Sequence, residues 1–337
     1  MQPEEALAYY KIEGVVKSIT PFGLGHINDT YQVDLADRSL LLQKINTGIF
    51  QQPQILEANL KTALNTAHQL FALHLKTKDH HYHLIRSEEC WRLQEFVPDS
   101  YGPQAVEEVK MAFQIGAGFG EFTNAMSSIS ADLVMESIPD FHHLGLRIDH
   151  FKEVVSSNSK ERNGKVYELI DKALDYAWIW QEFKRLVDAG LPQRICHNDT
   201  KSNNILLSKT TNEFLKVIDL DTLGPGYAFF DYGDMVRSLA THGHEGDRGV
   251  LGRPLQLDLI KANKEGFLST CSEVLTQQEL DSLDFGSLFM TYFTGIRMLT
   301  DFLEGDIYYR IHEWDDNLVR ARNQFYVLDL LSEHLKK

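Results

Sequence analysis

Cysteine is scarce in this chain of 337 residues. The three present, Cys90, Cys196 and Cys271, lie far apart and are odd in number, so the chain has neither a disulfide framework nor a zinc-type spacing. Positive charge is also in short supply. Against 48 Asp and Glu stand 33 Lys and Arg, a formal net charge of −15. Phosphate backbones are bound by surplus Lys and Arg, so nucleic acid is disfavoured as a partner, whereas a single nucleotide needs only a local cradle and a metal. An uninterrupted apolar run is missing as well. The most apolar stretch, Phe285 to Leu303, is broken by Gly286, Gly295, Arg297 and Asp301, and reads as a buried helix rather than a membrane span. The opening Met1-Gln2-Pro3-Glu4-Glu5 is acidic and lacks the basic-then-apolar order of a secretory signal. No internal repeat or low-complexity tract is visible. These absences predict a cytoplasmic protein without a membrane or nucleic-acid partner, and they leave its oligomeric state open.

What is present is ordinary globular material, 43% hydrophobic and 24% charged, in a chain long enough for two lobes. Residues 14–19, 30–35 and 39–45 read as strands, with a hairpin turn at Asp37-Arg38. Leu56, Leu60, Leu64, Ala67, Leu70 and Phe71 recur at spacings of three and four and predict a helix over 53–74, opened by Pro53. Two more strands are expected at 83–87 and 90–97. Pro98 to Pro103 has the composition of a linker. Beyond it, helical periods cover 104–126, 140–157, 166–188, 254–271, 276–304 and 311–336, and only a strand pair bracketing 196–222 interrupts them. The pattern predicts an α+β protein with a small β-rich N-lobe over 1–97 and a larger, mainly helical C-lobe over 98–337.

The chemistry is concentrated in His197-Asn198-Asp199-Thr200-Lys201-Ser202-Asn203-Asn204, followed by Lys216-Val217-Ile218-Asp219-Leu220-Asp221. A loop carries one carboxylate and, five positions on, an amide; a short apolar strand then ends in a second carboxylate. These are the parts a phosphoryl-transfer site needs. One carboxylate accepts the proton of a hydroxyl nucleophile, while an amide oxygen and the other carboxylate hold Mg²⁺ on the phosphates of ATP. Asp199 is therefore the expected base, with Asn204 and Asp219 as metal ligands. Lys201 is placed to touch the γ-phosphoryl group, unless it is plain surface charge.

These residues resemble the aminoglycoside phosphotransferase family, the protein-kinase-like kinases of small molecules. The wording is most similar to one branch, the N-acetylhexosamine 1-kinases. The likeness extends to Gly25-His26-Ile27-Asn28-Asp29-Thr30, to Asp231-Tyr232-Gly233-Asp234 and to Arg320-Ala321-Arg322-Asn323-Gln324-Phe325. The resemblance implies the bilobal kinase-like fold. It implies an ATP- and Mg²⁺-dependent kinase acting on the anomeric hydroxyl of an N-acetylated hexosamine. Kinases of another small alcohol (an aminoglycoside, choline or homoserine) and a non-catalytic nucleotide-binding module are the rival readings.

The resemblance also sorts the remaining residues. Gly25 and Asn28, with Tyr31 and Val33, fill the family's glycine-turn pattern over the phosphates, although a plain hairpin turn would look the same. Leu42 and Lys44 share one face of a strand by alternation, so they could floor the adenine and reach the phosphates. Glu57, on the next helix, is then the natural ion-pair partner of Lys44; a solvated lysine is the alternative. Glu95 to Val97 would form the hinge against adenine. His197 is expected to pack rather than carry protons, and Asp231 to tie the catalytic loop to a following helix. For the acceptor, the resemblance points to Asp199, Arg297 and Tyr308, with Arg147 and Phe141-His142-His143 nearby. A structural pair between Arg297 and Asp301, four residues on, competes with that reading.

Overall fold

The structure is a computed structural model that describes residues 1–23, 27–157, 162, 164, 166–241, 243 and 246–336. After a short helix α1 (Pro3–Leu7), the N-lobe builds one antiparallel sheet. Its strands are β1 (Ser18–Pro21), β2 (Asp29–Asp34) and β3 (Ser39–Ile45), then, beyond helix α2 (Pro53–Ala67), β4 (His74–Leu75), β5 (His83–Arg86) and β6 (Glu89–Glu95). The spatial order is β1-β2-β3-β6, and the two short strands β5 and β4 share the far edge of β6. Register sets the face of every side chain. Leu42 lies opposite Leu93, Gln43 opposite Arg92 and Lys44 opposite Trp91.

One face of this sheet carries Val33, Leu40, Leu42, Trp91 and Leu93, packed against Ala6, Leu7 and Tyr10 from the start of the chain. The Tyr10 hydroxyl donates to the Trp91 carbonyl at 2.8 Å and holds α1 there. The alternate residues, Gln43 and Arg92 among them, therefore turn toward the C-lobe. The helix expected to run to residue 74 stops at Ala67. Phe71 instead bridges to Val217 and His74 pairs with Gln94, so strand pairing overrides the helical spacing of the last residues. The apolar stripe of α2 (Leu60, Ala63, Leu64, Ala67) joins the core of the C-lobe helices.

The C-lobe begins with β7 (Ser100–Tyr101) inside the segment read as a linker. Next come α3 (Val109–Met126), α4 (Leu144–Ser157), α5 (Tyr167–Asp175), α6 (Trp178–Asp188), β8 (Arg194–Cys196), β9 (Ile205–Ser208), β10 (Phe214–Val217) and β11 (Gly224–Gly226). Helices α7 (Ala228–Leu239), α8 (Leu257–Cys271), α9 (Gln277–Glu304) and α10 (Asp316–Leu335) complete it. The single helix expected over 166–188 is two, parted at Tyr176, whose hydroxyl bonds Asp329 of α10 at 2.9 Å. Helix α7 lies in a segment that the helical spacing did not mark.

Helix α9 is the spine of this lobe. A reciprocal cap starts it: the Thr276 hydroxyl accepts from the Glu279 N–H, and the Glu279 carboxylate accepts from the Thr276 N–H at 2.8 Å. Its buried residues lie on all sides, as expected of a core helix, and no helix described is long and apolar enough to cross a membrane. It meets α7 at backbone contact. A Cβ on Gly286 would stand 2.2 Å from the Phe229 carbonyl, and one on Gly233 would stand 2.0 Å from the Gly286 carbonyl. Only glycine fits at that crossing.

Candidate active site

The loop after β8 is fixed by one buried acid. Asp231, near the start of α7, accepts the N–H groups of His197 (2.9 Å) and Asn198 (2.8 Å), and its own carbonyl takes the Thr200 hydroxyl at 2.5 Å. Burial pushes the Asp231 carboxyl up to about 6. His197 is wholly buried between Phe119 and Phe122, with Nε2 2.8 Å from the Ile218 carbonyl, so it packs the loop against the end of β10. Asn198 takes a left-handed backbone conformation and ties its amide to the Thr222 carbonyl at 3.1 Å. That bend turns the following residue, Asp199, toward the cleft.

Asp199 lies where the remaining polar groups of the loop converge. Lys201 Nζ reaches its Oδ2 at 2.9 Å and Asn204 Nδ2 donates to the same oxygen at 2.7 Å. Burial would raise the Asp199 carboxyl, but Lys201, then His197 and Asn204, outweigh it and hold it below its usual value. Burial would likewise depress Lys201, yet Asp199 and then Asp219 keep its ammonium above the ordinary lysine value. Asp219 follows β10 in a left-handed conformation. The residue as a whole is exposed, yet protein is dense around its carboxylate. That enclosure, and next the charge of Asp221, push it up to about 6. Asp199, Lys201, Asn204 and Asp219 thus share one cleft. The Asn204 amide spends its N–H₂ end on Asp199, leaving the carbonyl oxygen, and the Asp219 carboxylate accepts no hydrogen bond among the described residues. Two hard oxygens left over in this way suit a magnesium ion that keeps most of its ligands from phosphates and water.

On the N-lobe side the residues fall less simply. Gly25 lies outside the described residues. Asn28, three positions on, crosses the cleft: its Nδ2 donates to Asp221 at 2.8 Å and its Oδ1 accepts the Asn46 N–H at 3.0 Å. The ion pair expected between Lys44 and Glu57 does not form. Lys44 shares the α1 face with Leu40 and Leu42, bonds Glu89 at 2.7 Å and stands over the Trp91 ring. Glu57 instead accepts from the His83 ring and the backbone N–H groups of Tyr82 and His83. The cause is register: the apolar face of β3 belongs to α1, so the cleft receives the odd-numbered residues. Sequence reasoning missed Arg92, which from that inner face pairs with Asp221. In the hinge, the Glu95 N–H bonds the Leu73 carbonyl at 2.8 Å, and the Val97 carbonyl takes the Ser100 hydroxyl at 2.6 Å. The Val97 N–H makes no bond among the described residues.

The side of the cleft expected to receive the acceptor is aromatic and cationic. Arg297 sits among the rings of Phe141, Phe293, Tyr308 and Tyr309, with its guanidinium carbon 5.1 to 5.6 Å from their centres. It does not pair with Asp301, whose carboxylate is occupied by the N–H groups of Ile307, Tyr308 and Tyr309 and by Asn317. The Asp199 charge acts on Arg297 and on the buried His142, which burial, and next Arg297, push down to about 3. Arg147 lies close enough to Arg297 for its own guanidinium to be depressed, by burial first and then by that neighbour. A cavity of about 250 Å³ opens beside this cluster, lined by Phe141, His142, Trp180, Asn198, Tyr227 and Phe230 among others.

The pattern that defines the phosphotransferase enzyme family matches residues 18–256. Among solved structures, a microcompartment-associated aminopropanol kinase aligns over 99% of this chain and 96% of its own, with a TM-score of 0.70 and 16% identity. A spectinomycin phosphotransferase, solved with ADP and spectinomycin, aligns over 99% and 97%, with a TM-score of 0.62 and 10% identity. A choline kinase from Cryptosporidium parvum aligns over 95% and 90%, with a TM-score of 0.61 and 14% identity. At these identities the likeness concerns the fold, a sheet-built N-lobe on a helical C-lobe.

Proposed function

The chain belongs to the phosphotransferase enzyme family, and from that premise we propose that it transfers the γ-phosphoryl group of ATP to the anomeric hydroxyl of an N-acetylated hexosamine. It is a small-molecule kinase with an alcohol as acceptor. In the proposed reaction the hydroxyl proton passes to the Asp199 carboxylate as the sugar oxygen bonds to the γ-phosphorus, and the bond from that phosphorus to the bridging oxygen breaks to release ADP. Lys201, beside Asp199, would meet the transferring group, and Val97 would offer its N–H to adenine. Asn204 and Asp219 would hold a magnesium ion, which when bound offsets the charge of the phosphates. The transition state is loose, so most of the catalytic work is positioning, with proton transfer contributing about 10²–10⁴-fold.

The observation that carries the acceptor class is Arg297. A guanidinium caged by four rings, unpaired with any carboxylate among the described residues and flanked by Arg147, repels a cationic substrate. It suits an acceptor that brings oxygens, such as ring hydroxyls and an acetamido carbonyl, while Tyr308 and Phe293 cover its apolar faces. One observation favours an amino alcohol instead. Glu136 and Asp140 line the adjoining cavity with Trp180, and such a wall could receive an ammonium group, as the names of the aminopropanol and choline kinases suggest for those proteins.

An ADP-release assay over N-acetylglucosamine, N-acetylgalactosamine, choline, aminopropanol and homoserine decides between them. Turnover with an N-acetylhexosamine, giving an acid-labile anomeric phosphate by ³¹P NMR, is the expected result. Turnover confined to the amino alcohols overturns the sugar reading and leaves the kinase intact.

A further inference from the structure

A kinase-like site needs positive charge on the N-lobe side of the nucleotide, usually a lysine on the third strand held by a helix glutamate. Neither residue is so placed here. Lys44 lies on the face covered by α1 and is bound to Glu89, while Glu57 is taken by His83. At the inward-facing position of β3 stands Gln43, which is neutral. We propose that Arg92, reaching from the neighbouring strand, supplies this charge, and that Asp221 and Gln43 are the groups that aim it.

The contacts define the arrangement. Gln43 and Arg92 are direct cross-strand partners. The Gln43 carbonyl oxygen accepts Arg92 Nη2 at 2.7 Å and Nε at 3.2 Å, while its amide donates to the Thr30 hydroxyl at 3.2 Å. The other side of the guanidinium grips Asp221 through Nη1 and Nη2. Asp221 in turn accepts Asn28 from the turn after β1, and its backbone carbonyl takes the Ser137 hydroxyl of the C-lobe. The guanidinium thus lies near both Asn28, just before β2, and the segment after β10 that carries Asp219. These bonds use four of the five N–H groups an arginine owns, and the fifth, on Nη1, has no partner among the described residues.

Charge arithmetic supports the same assignment. Arg92 and Asp221 are each only 3% exposed in their side chains. A buried pair of this kind contributes little net stability relative to apolar residues of equal volume, so a role in stability alone does not account for it. Its placement does. Asp221 is spent on Arg92 and Asn28, which leaves Asp219 as the free carboxylate for a metal. Held by Asp221 and Gln43, Arg92 would offset phosphate charge from the N-lobe sheet. Arg92 acts here as a positioning residue for Asp221 and, through it, Asn28, and as the local cation. Its partners are a strand glutamine and the acid two residues beyond Asp219.

Nucleotide binding tests this without any acceptor, so an error in the proposed sugar substrate leaves the test untouched. Dissociation constants for Mg-ATP and for adenosine are measured by calorimetry, with thermal unfolding as the check on folding. Lys44→Met is expected to change Mg-ATP binding by no more than about twofold, since it breaks a half-exposed pair. Arg92→Met combined with Asp221→Asn, which leaves no lone buried charge, is expected to weaken Mg-ATP by about tenfold or more and adenosine hardly at all. Adding Gln43→Lys to that double variant puts a lysine on the cleft face and is expected to restore most of the loss. Arg92→Lys keeps the buried charge and serves if the double variant fails to fold; it is expected to weaken Mg-ATP severalfold and spare adenosine. The inference is overturned if Lys44→Met is the variant that loses Mg-ATP. It is also overturned if ATP and adenosine weaken equally in the Arg92 variants, or if Gln43→Lys restores nothing.

Discussion

At the scale of single residues, the proposed reaction separates the group that would take the proton from the groups that hold it. Asp199→Asn keeps size and removes the proposed base. Because Lys201 and Asn204 already steady this position, the variant is expected to lose about 10²–10⁴-fold in kcat while binding Mg-ATP nearly as the parent does. A steady-state assay alongside nucleotide titration reads both quantities, and near-normal kcat would remove Asp199 from the role of base. Arg297→Met answers a different question. Methionine fills much the same space among Phe141, Phe293, Tyr308 and Tyr309 without the charge. The expected outcome is a rise in KM for the N-acetylhexosamine of about tenfold, with KM for ATP unchanged. A fall in KM for choline in the same variant would mean that the guanidinium had been excluding cations.

At the scale of elements, the α7–α9 crossing carries the loop from His197 to Asn204, because Asp231 of α7 holds the N–H groups of His197 and Asn198. Gly286→Ala drives a methyl against the Phe229 carbonyl, and is expected to cost about 1–3 kcal/mol, read as a lowered midpoint in urea. The elements were also what the sequence displayed best. Strand β3 ran over the residues that its apolar alternation marked, and α3, α4, α8, α9 and α10 each began within a few residues of the start of their periodic stretch. The loop from His197 to Asn204 and the strand leading to Asp219 were legible because their spacing is local. The face of β3 was not. Leu40, Leu42 and Lys44 alternate correctly, but which side meets the cleft depends on α1 packing from the chain start, a contact that strand spacing does not encode. For the same reason Arg92 passed as part of a hinge strand, its partner Asp221 lying 129 residues away.

At the scale of the whole molecule, the two lobes are joined by buried polar groups, and these give the fold its dependence on pH. His74 lies under the hinge, its Nδ1 2.9 Å from the Ala72 carbonyl and its ring edge-on to Tyr82; Arg92, His83 and Asp221 are the charged or titratable groups that act on it. Burial, and next Arg92, push its imidazole down to about 3. An unfolded chain protonates this ring near pH 6.5, whereas the folded one does not until far lower. The unfolded state therefore holds one more proton between those values, so stability from this group is intact above pH 6.5 and is lost progressively as the pH falls. Asp231, pushed up to about 6, works in the opposite sense below that pH, so the slope of the parent protein is a sum of opposed terms. A difference between variants isolates the histidine. His74→Gln is expected to be less stable than the parent at pH 7.5, where it only loses packing. The gap should close by about 1.4 kcal/mol for each pH unit between 6.5 and 4, as the parent alone pays for keeping an imidazole neutral. Urea titrations of both proteins at pH 7.5, 6.5, 5.5 and 4.5 measure it, and two curves that stay parallel would show that His74 charges freely in the folded state.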